Sequence, residues 1–121
     1  MRITALFVAA IVIFGSAVRA SAQTPIPNPT QITFDHLDFA QTSSYEVGYF
    51  ASATATVPVQ SGTLPKPASC SPCTGPLPSR PTAFQSWWAG VRAVAGTTTS
   101  AWSALVPFVR VPLAPSNVLL Q

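Results

Sequence analysis

Thirteen prolines in 121 residues constrain this chain more than any other feature. Each removes a backbone donor and fixes its own φ, so helix interiors and central strands are closed to it. Pro25, Pro27 and Pro29 alternate with other residues in Thr24–Pro29, which makes that stretch extended. Seven more fall within 57–81. There Pro76, Pro78 and Pro81 exclude a regular helix or a central strand over most of the segment. Short edge pairings around Ala53–Val59 and Thr63–Leu64 are all that it allows. The stretch 57–81 is therefore expected as a proline-rich loop insertion, long for a compact domain.

Between the prolines the apolar pattern has period two. Gln31–Phe34 alternates polar and apolar residues around β-branched Ile32 and Thr33. Ser44–Phe50 alternates more clearly, with Tyr45, Val47 and Tyr49 on one face and Glu46 and Gly48 on the other. Asp35–Ser43 joins these two strands as a polar turn region. From Phe84 onward Trp87, Ala89, Val91 and Ala93 share one face, and Trp88, Gly90, Arg92 and Val94 the other. Gly96–Thr99 turns the chain, and Ala101–Val111 is expected to resume as strand. No segment beyond residue 22 sustains a helical apolar period, so the chain reads as all-β by pattern and by elimination.

Residues 1–22 read as a cleavable signal peptide. Arg2 supplies the positive start, Ile3–Phe14 the apolar run, and Ala20-Ser21-Ala22 the small-x-small site before Gln23. The run is well short of the roughly 20 apolar residues that span a bilayer, which disfavours an uncleaved anchor. No later stretch replaces it, so no membrane span is expected after signal removal. The expected product is secreted or periplasmic, with room for a single domain over 23–112 and a linker-like tail over 113–121. Charged residues are 7% and AVILMFWYC 48% of the sequence, which excludes disorder driven by charge. Lys66, Arg80, Arg92 and Arg110 stand against Asp35, Asp38 and Glu46. Four scattered cations make no nucleic-acid footprint.

Two short clusters carry potential chemistry. Cys70-Ser71-Pro72-Cys73 has the spacing of a redox motif, but Thr74-Gly75-Pro76-Leu77-Pro78 cannot form the helix whose start would stabilise a thiolate. Zinc needs about four ligands, and beyond residue 22 there are only two cysteines and one histidine. In an oxidising compartment a disulfide between Cys70 and Cys73, pinning the loop, is the leading reading; free thiols and redox or metal chemistry are its rivals. Asp35-His36-Leu37-Asp38 sets the sole histidine between carboxylates, as a metal or acid–base site could begin. The plainer reading is a solvated turn in which the aspartates end the strand through local backbone bonds. No nucleophile elbow and no glycine-rich phosphate loop accompany the cluster. The reading is non-catalytic, with no metal and no cofactor.

The order of these features resembles a fibronectin type III domain, an immunoglobulin-like β-sandwich. Tyr45, Val47 and Tyr49 in SYEVGYF are similar to the aromatic-x-Val-x-aromatic core face of that family's C strand. WAGVRAVAG (Trp88 to Gly96) and SAWS (Ser100 to Ser103) look like its F strand, FG turn and G strand, with Trp87 as the opening aromatic before Val91 and Ala93. Gln31 to His36 would be the B strand. The resemblance implies a vestigial first strand, since little chain precedes Gln31. It also implies C′ and E strands where the proline-rich segment lies.

Trp88, Arg92 and Trp102 form the candidate binding face. If Ala101–Val111 pairs beside the Trp88 strand, Trp102 lies over the Arg92 guanidinium, a contact of about 0.5–2 kcal/mol. This arrangement is similar to the tryptophan–serine motif of related receptor domains and would stiffen the sheet. Its functional reading is an aromatic platform for a protein or a polysaccharide. The leading expectation is an exported structural or binding module engaging proteins or surface polymers, and the alternative a carbohydrate-binding accessory domain using the exposed tryptophans. An enzyme ranks third. Mass spectrometry of the exported product should place its first residue at Gln23, and a membrane-retained product beginning at Met1 would refute the signal.

Overall fold

The computed structural model describes residues 24–121. The expected signal and its cleavage site at 1–22 lie outside the described residues. Among the described residues eight strands run in chain order: β1 (Ile26–Pro27), β2 (Gln31–Phe34), β3 (Ser44–Phe50), β4 (Gln60–Pro65), β5 (Cys73–Pro76), β6 (Ser86–Ala95), β7 (Thr98–Thr99) and β8 (Val106–Val109). The only helical element among the described residues is a 3₁₀ turn at Phe39–Gln41, inside the expected turn region. The chain is all-β, and its two sheets make a sandwich-like arrangement. One sheet has the order β1-β8-β6-β3-β4, with β7 also on β6; the other is β2 with β5. Pairing is antiparallel except for β1, which runs parallel to β8.

The core follows from the period-two faces. Tyr45, Val47 and Tyr49 on β3 turn inward with Trp87, Val91 and Ala93 on β6, and Ile32 and Phe34 of β2 close over them. The rings meet edge to face: Phe34 on Tyr45 at 4.8 Å and Tyr49 on Phe108 at 6.0 Å between centroids. The Trp87 indole is 4% exposed, and its Nε1–H donates to the Ala83 carbonyl at 3.1 Å. A buried ring of this size is tolerated because its single polar atom is satisfied.

The segment 57–81 supplies two strands: β4, an edge strand that contains the pairing allowed at Thr63–Leu64, and β5, which the expected loop insertion did not include. The reason lies in where its prolines fall. Pro65 ends β4, an edge strand. Pro76 faces Gln31 across the β2–β5 pair, while the flanking Leu77 N–H donates to Thr30 O, so Pro76 occupies a position whose donor the ladder does not use. Pro107 on β8 is placed in the same way opposite Trp88, between pairs bonded through Arg110 N–H to Gln85 O and their equivalents. Alternation makes every second strand position safe for proline on a given edge. The expected strand Ala101–Val111 is also shorter than the pattern suggested, since β8 covers only Val106–Val109. The first strand is indeed short, two residues of β1 held on β8.

Adjacent tryptophans on β6 test its register. Trp87→Ala should cost about 3–5 kcal/mol, as truncation of a buried indole does. Trp88→Ala removes a half-buried ring and should cost no more than about 1–2 kcal/mol. Denaturant melts in which Trp88→Ala is the more damaging change would mean that β6 is turned over.

Candidate functional site

Three places bring chemistry-bearing or open surface together. The first is the outer face of β3 and β6. Glu46 and Arg92 are cross-strand partners, and the guanidinium donates through Nε and Nη2 to the same carboxylate oxygen at 2.8 and 2.7 Å. The Trp102 ring lies 4.4 Å from the guanidinium carbon, as the sequence reading expected. Both charged side chains remain partly in water, so the pair adds order more than stability.

Trp102 reaches that position because the chain after β7 does not run as a regular strand. Ala93 N–H donates to Ser100 Oγ and Val91 N–H to Ser103 Oγ, at 2.9 and 3.0 Å, while Ser100 N–H and Ser103 N–H return bonds to the carbonyls of Ala93 and Val91. Two serine hydroxyls thus stand where strand carbonyls would. The backbone bulges, and β7 and β8 sit on β6 two residues out of register with each other. Gly48 and Gly90, directly opposed across β3 and β6, leave the floor on which the bulge settles. A Cβ on Gly48 would lie 2.8 Å from the Trp102 ring, and one on Gly90 2.7 Å from Leu105 Cδ2. Phe50, only 1% exposed, closes the far side with its ring 5.3 Å from Trp102. Trp88 is half-buried beside Phe50 in the β3–β6 pairing. The aromatic face is therefore a small second core laid over the sheet.

The second place surrounds His36. Its Nδ1 is 2.9 Å from the Tyr45 hydroxyl, which in turn lies 4.0 Å from Cys73 Sγ. His36 is thus more enclosed than the solvated turn expected from the sequence. Burial pulls its imidazole below the ordinary 6.5, opposed by the nearby Asp38 carboxylate, and burial pushes the Tyr45 hydroxyl up to about 12. Cys70 and Cys73 form a disulfide, compatible with an oxidising compartment. Its second half opens β5 and is fully buried in the core, so the bridge ties the loop to the core as well as pinning it. No cluster of three metal-ligating side chains occurs among the described residues, and none of their helices is long and apolar enough to cross a membrane.

The third place was not foreseen from the sequence. On one flank of the sandwich Tyr49 Oη and Gln60 Nε2 donate to the Pro78 and Ser79 carbonyls and close the gap beside β4. On the other flank, β2 has no neighbour beyond β5 among the described residues, and a cleft of about 350 Å³ lies between it and the β1–β8 edge. Ile26, Ile32, Leu77, Ala89, Val106 and Phe108 supply its apolar walls, and no charged residue lines it. Because Thr30 and Leu77 form a bonded pair with β5's continuation, alternation turns the main-chain groups of Gln31 and Thr33 away from β5, toward the open flank. Only the unequal size of the two sheets reveals this, and strand partners cannot be counted from a single strand's pattern.

No protein-family model matches this chain, and no curated protein or solved structure matches it.

The His36 environment gives a pH dependence with a definite sign. The unfolded chain takes up a proton near pH 6.5 that the fold resists, so stability should fall as pH drops below that value. The loss should level off once pH passes beneath the lowered folded-state pKa. Chemical melts across this range should show the slope in the wild type and lose it in His36→Gln, whatever that variant's absolute stability. An unchanged slope in His36→Gln would remove His36 as its source.

Proposed function

We propose that the chain is an exported, non-catalytic binding module of fibronectin type III-like architecture, which takes up an extended, uncharged polypeptide segment along the open flank of β2. The strand order supports the architectural part: β3 and β6 lie side by side, as C and F strands would, and β2 pairs with β5 in a second sheet, while Ser100–Ser103, which the resemblance made the G strand, is an irregular connection before β8. The cleft carries the functional part. It combines main-chain groups of Gln31 and Thr33 aimed outward with an apolar wall and no charge. An added strand satisfies those groups and places alternate side chains against the wall, which is the physics of strand addition to a sheet edge. An ionic ligand would find no counter-charge in the cleft wall, the nearby Arg80 guanidinium being engaged by the Pro29 carbonyl at 3.1 Å.

A carbohydrate platform at Trp88 and Trp102 has less to stand on. One face of Trp102 is taken by Arg92, and its edge is seated over Gly48 and Phe50. The His36–Tyr45 pair favours a structural role for the histidine, since its 2.9 Å contact ties the turn after β2 to a core tyrosine whose hydroxyl burial pushes up to about 12.

A capped Thr-Val-Thr-Val-Thr peptide added to the isotope-labelled chain tests this reading. Amide exchange at Gln31 and Thr33 should slow about tenfold or more, and the Ile32 and Val106 methyl signals should shift. The same peptide with a central proline should do neither. Unaltered exchange at β2, with xylan or chitin oligomers shifting the Trp88 indole instead, would overturn the peptide reading in favour of the carbohydrate one.

A further inference from the structure

Several residues that leave the sandwich after β8 are large, apolar and exposed among the described residues. Leu113, Val118, Leu119 and Leu120 are 82, 71, 79 and 95% exposed, and residues 111–121 carry no charge. Isolated exposed apolar side chains are ordinary, but Val118-Leu119-Leu120 is a contiguous run. The same molecule holds an uncharged apolar cleft with unpaired strand groups along one side. The two surfaces have matching chemistry and are not in contact.

The geometry points to a second copy of this chain as the polypeptide that fills the cleft: its 117–121 segment pairs with the free edge of β2 and turns Val118 and Leu120 onto Ile32 and Val106. This rests on the proposed reading of the cleft and names its occupant. Strand alternation sends Val118 and Leu120 to one face and Leu119 to the other, so two branched side chains enter together.

The chain's own segment is poorly placed for its own cleft. Val111 is clamped at the end of β8, its N–H donating to Asn28 Oδ1 and its carbonyl accepting from Asn28 Nδ2, both at 3.1 Å. Beyond that clamp Pro112 and Pro115 restrict the spacer, Asn117 turns it with a φ of 56°, and Val118, Leu119 and Leu120 remain exposed on the chain that carries them. A neighbouring copy meets no such restriction. One inserted strand buries less than the ~800 Å² per partner of a standard interface, so a single contact is weak and reversible. Because segment and cleft are different surfaces, the contact is either exchanged reciprocally in a closed two-fold pair or repeated head-to-tail in an open row.

Sedimentation velocity over a range of concentrations tests this with four proteins. The wild type should associate as concentration rises. The chain lacking 117–121 should remain monomeric. So should Val106→Asp, which sets a charge in the cleft, and Gln31→Pro, which removes an outward donor at the first residue of β2 without touching the β2–β5 bonds. Mixing the shortened chain, whose cleft is intact, with Gln31→Pro, whose segment is intact, should restore a one-to-one complex. Persistent association of the shortened chain, or failure of the mixture to form the complex while both proteins give folded spectra, would overturn the inference.

A peptide covering Ser116–Gln121, titrated into the shortened chain, separates this inference from the reading beneath it. Slowed exchange at Gln31 and Thr33 with this peptide supports both. Slowing by Thr-Val-Thr-Val-Thr but not by the Ser116–Gln121 peptide removes the second copy as occupant and leaves the cleft as a strand site. No slowing by either peptide removes both.

Discussion

The antiparallel pairing of β3 with β6 is the contact on which the other elements lean. It runs from Ser44 opposite Val94 to Phe50 opposite Trp88, and it is covered on both sides. On the inner side Tyr45, Val47, Tyr49, Trp87 and Val91 make the main core with β2 and β5. On the outer side the opposed Gly48 and Gly90 lower the surface enough for Trp102 and Leu105 to settle onto it. A central pair buried on both faces reads as a near-continuous apolar run, and the burial of β3 from Val47 through Phe50 shows this. The flanking strands β8 and β4, and β1 beyond β8, gain their order from this pair, since each is too short to persist alone.

The serine-mediated bulge between β7 and β8 converts that pairing into a specific outer surface. Ser100 and Ser103 give β6 the acceptors it needs while releasing the chain from strand register, and Ser103 is itself buried. The release is what swings Trp102 over Arg92, and Glu46 then fixes the guanidinium from the other side. Backbone satisfaction and ring placement are one event here. Replacing a main-chain acceptor by a hydroxyl leaves no buried donor unpaired, which is why so irregular a connection can lie against the centre of a sheet.

The unequal sheets determine where this molecule is open. Two strands cannot cover a sheet of five in sequence, and the shortfall falls on the β1–β8 side because β5 and the Pro78–Ser79 segment are spent closing the β4 side. β1 deepens the asymmetry by joining β8, which leaves the edge of β2 without a strand partner among the described residues. A free strand edge over an apolar floor is a hazard that folded proteins usually blunt with charge or proline. Here the cleft has no charge, and the prolines near it, Pro29 and Pro107, flank the open edge without blocking it.

The faces of β2, β3 and β6 were legible in the sequence because side-chain alternation is a local property, fixed by strand geometry within a few residues. The same locality made the Cys70–Cys73 bridge and the Arg92–Trp102 contact readable, one from short spacing and the other from adjacent strands. The proline-rich segment misled because a proline's cost depends on whether its missing donor faces a partner, and that is settled by the neighbouring strand. His36 against Tyr45, the Gly48–Gly90 floor and the open flank of β2 were beyond local reading for a related reason. Each depends on which strands lie side by side and how many remain to cover them. The sequence by itself determined that the chain would be an all-β body with these inward residues; only the tertiary structure decided which edge would be left bare, because sheet membership is a competition among distant segments that no single segment records.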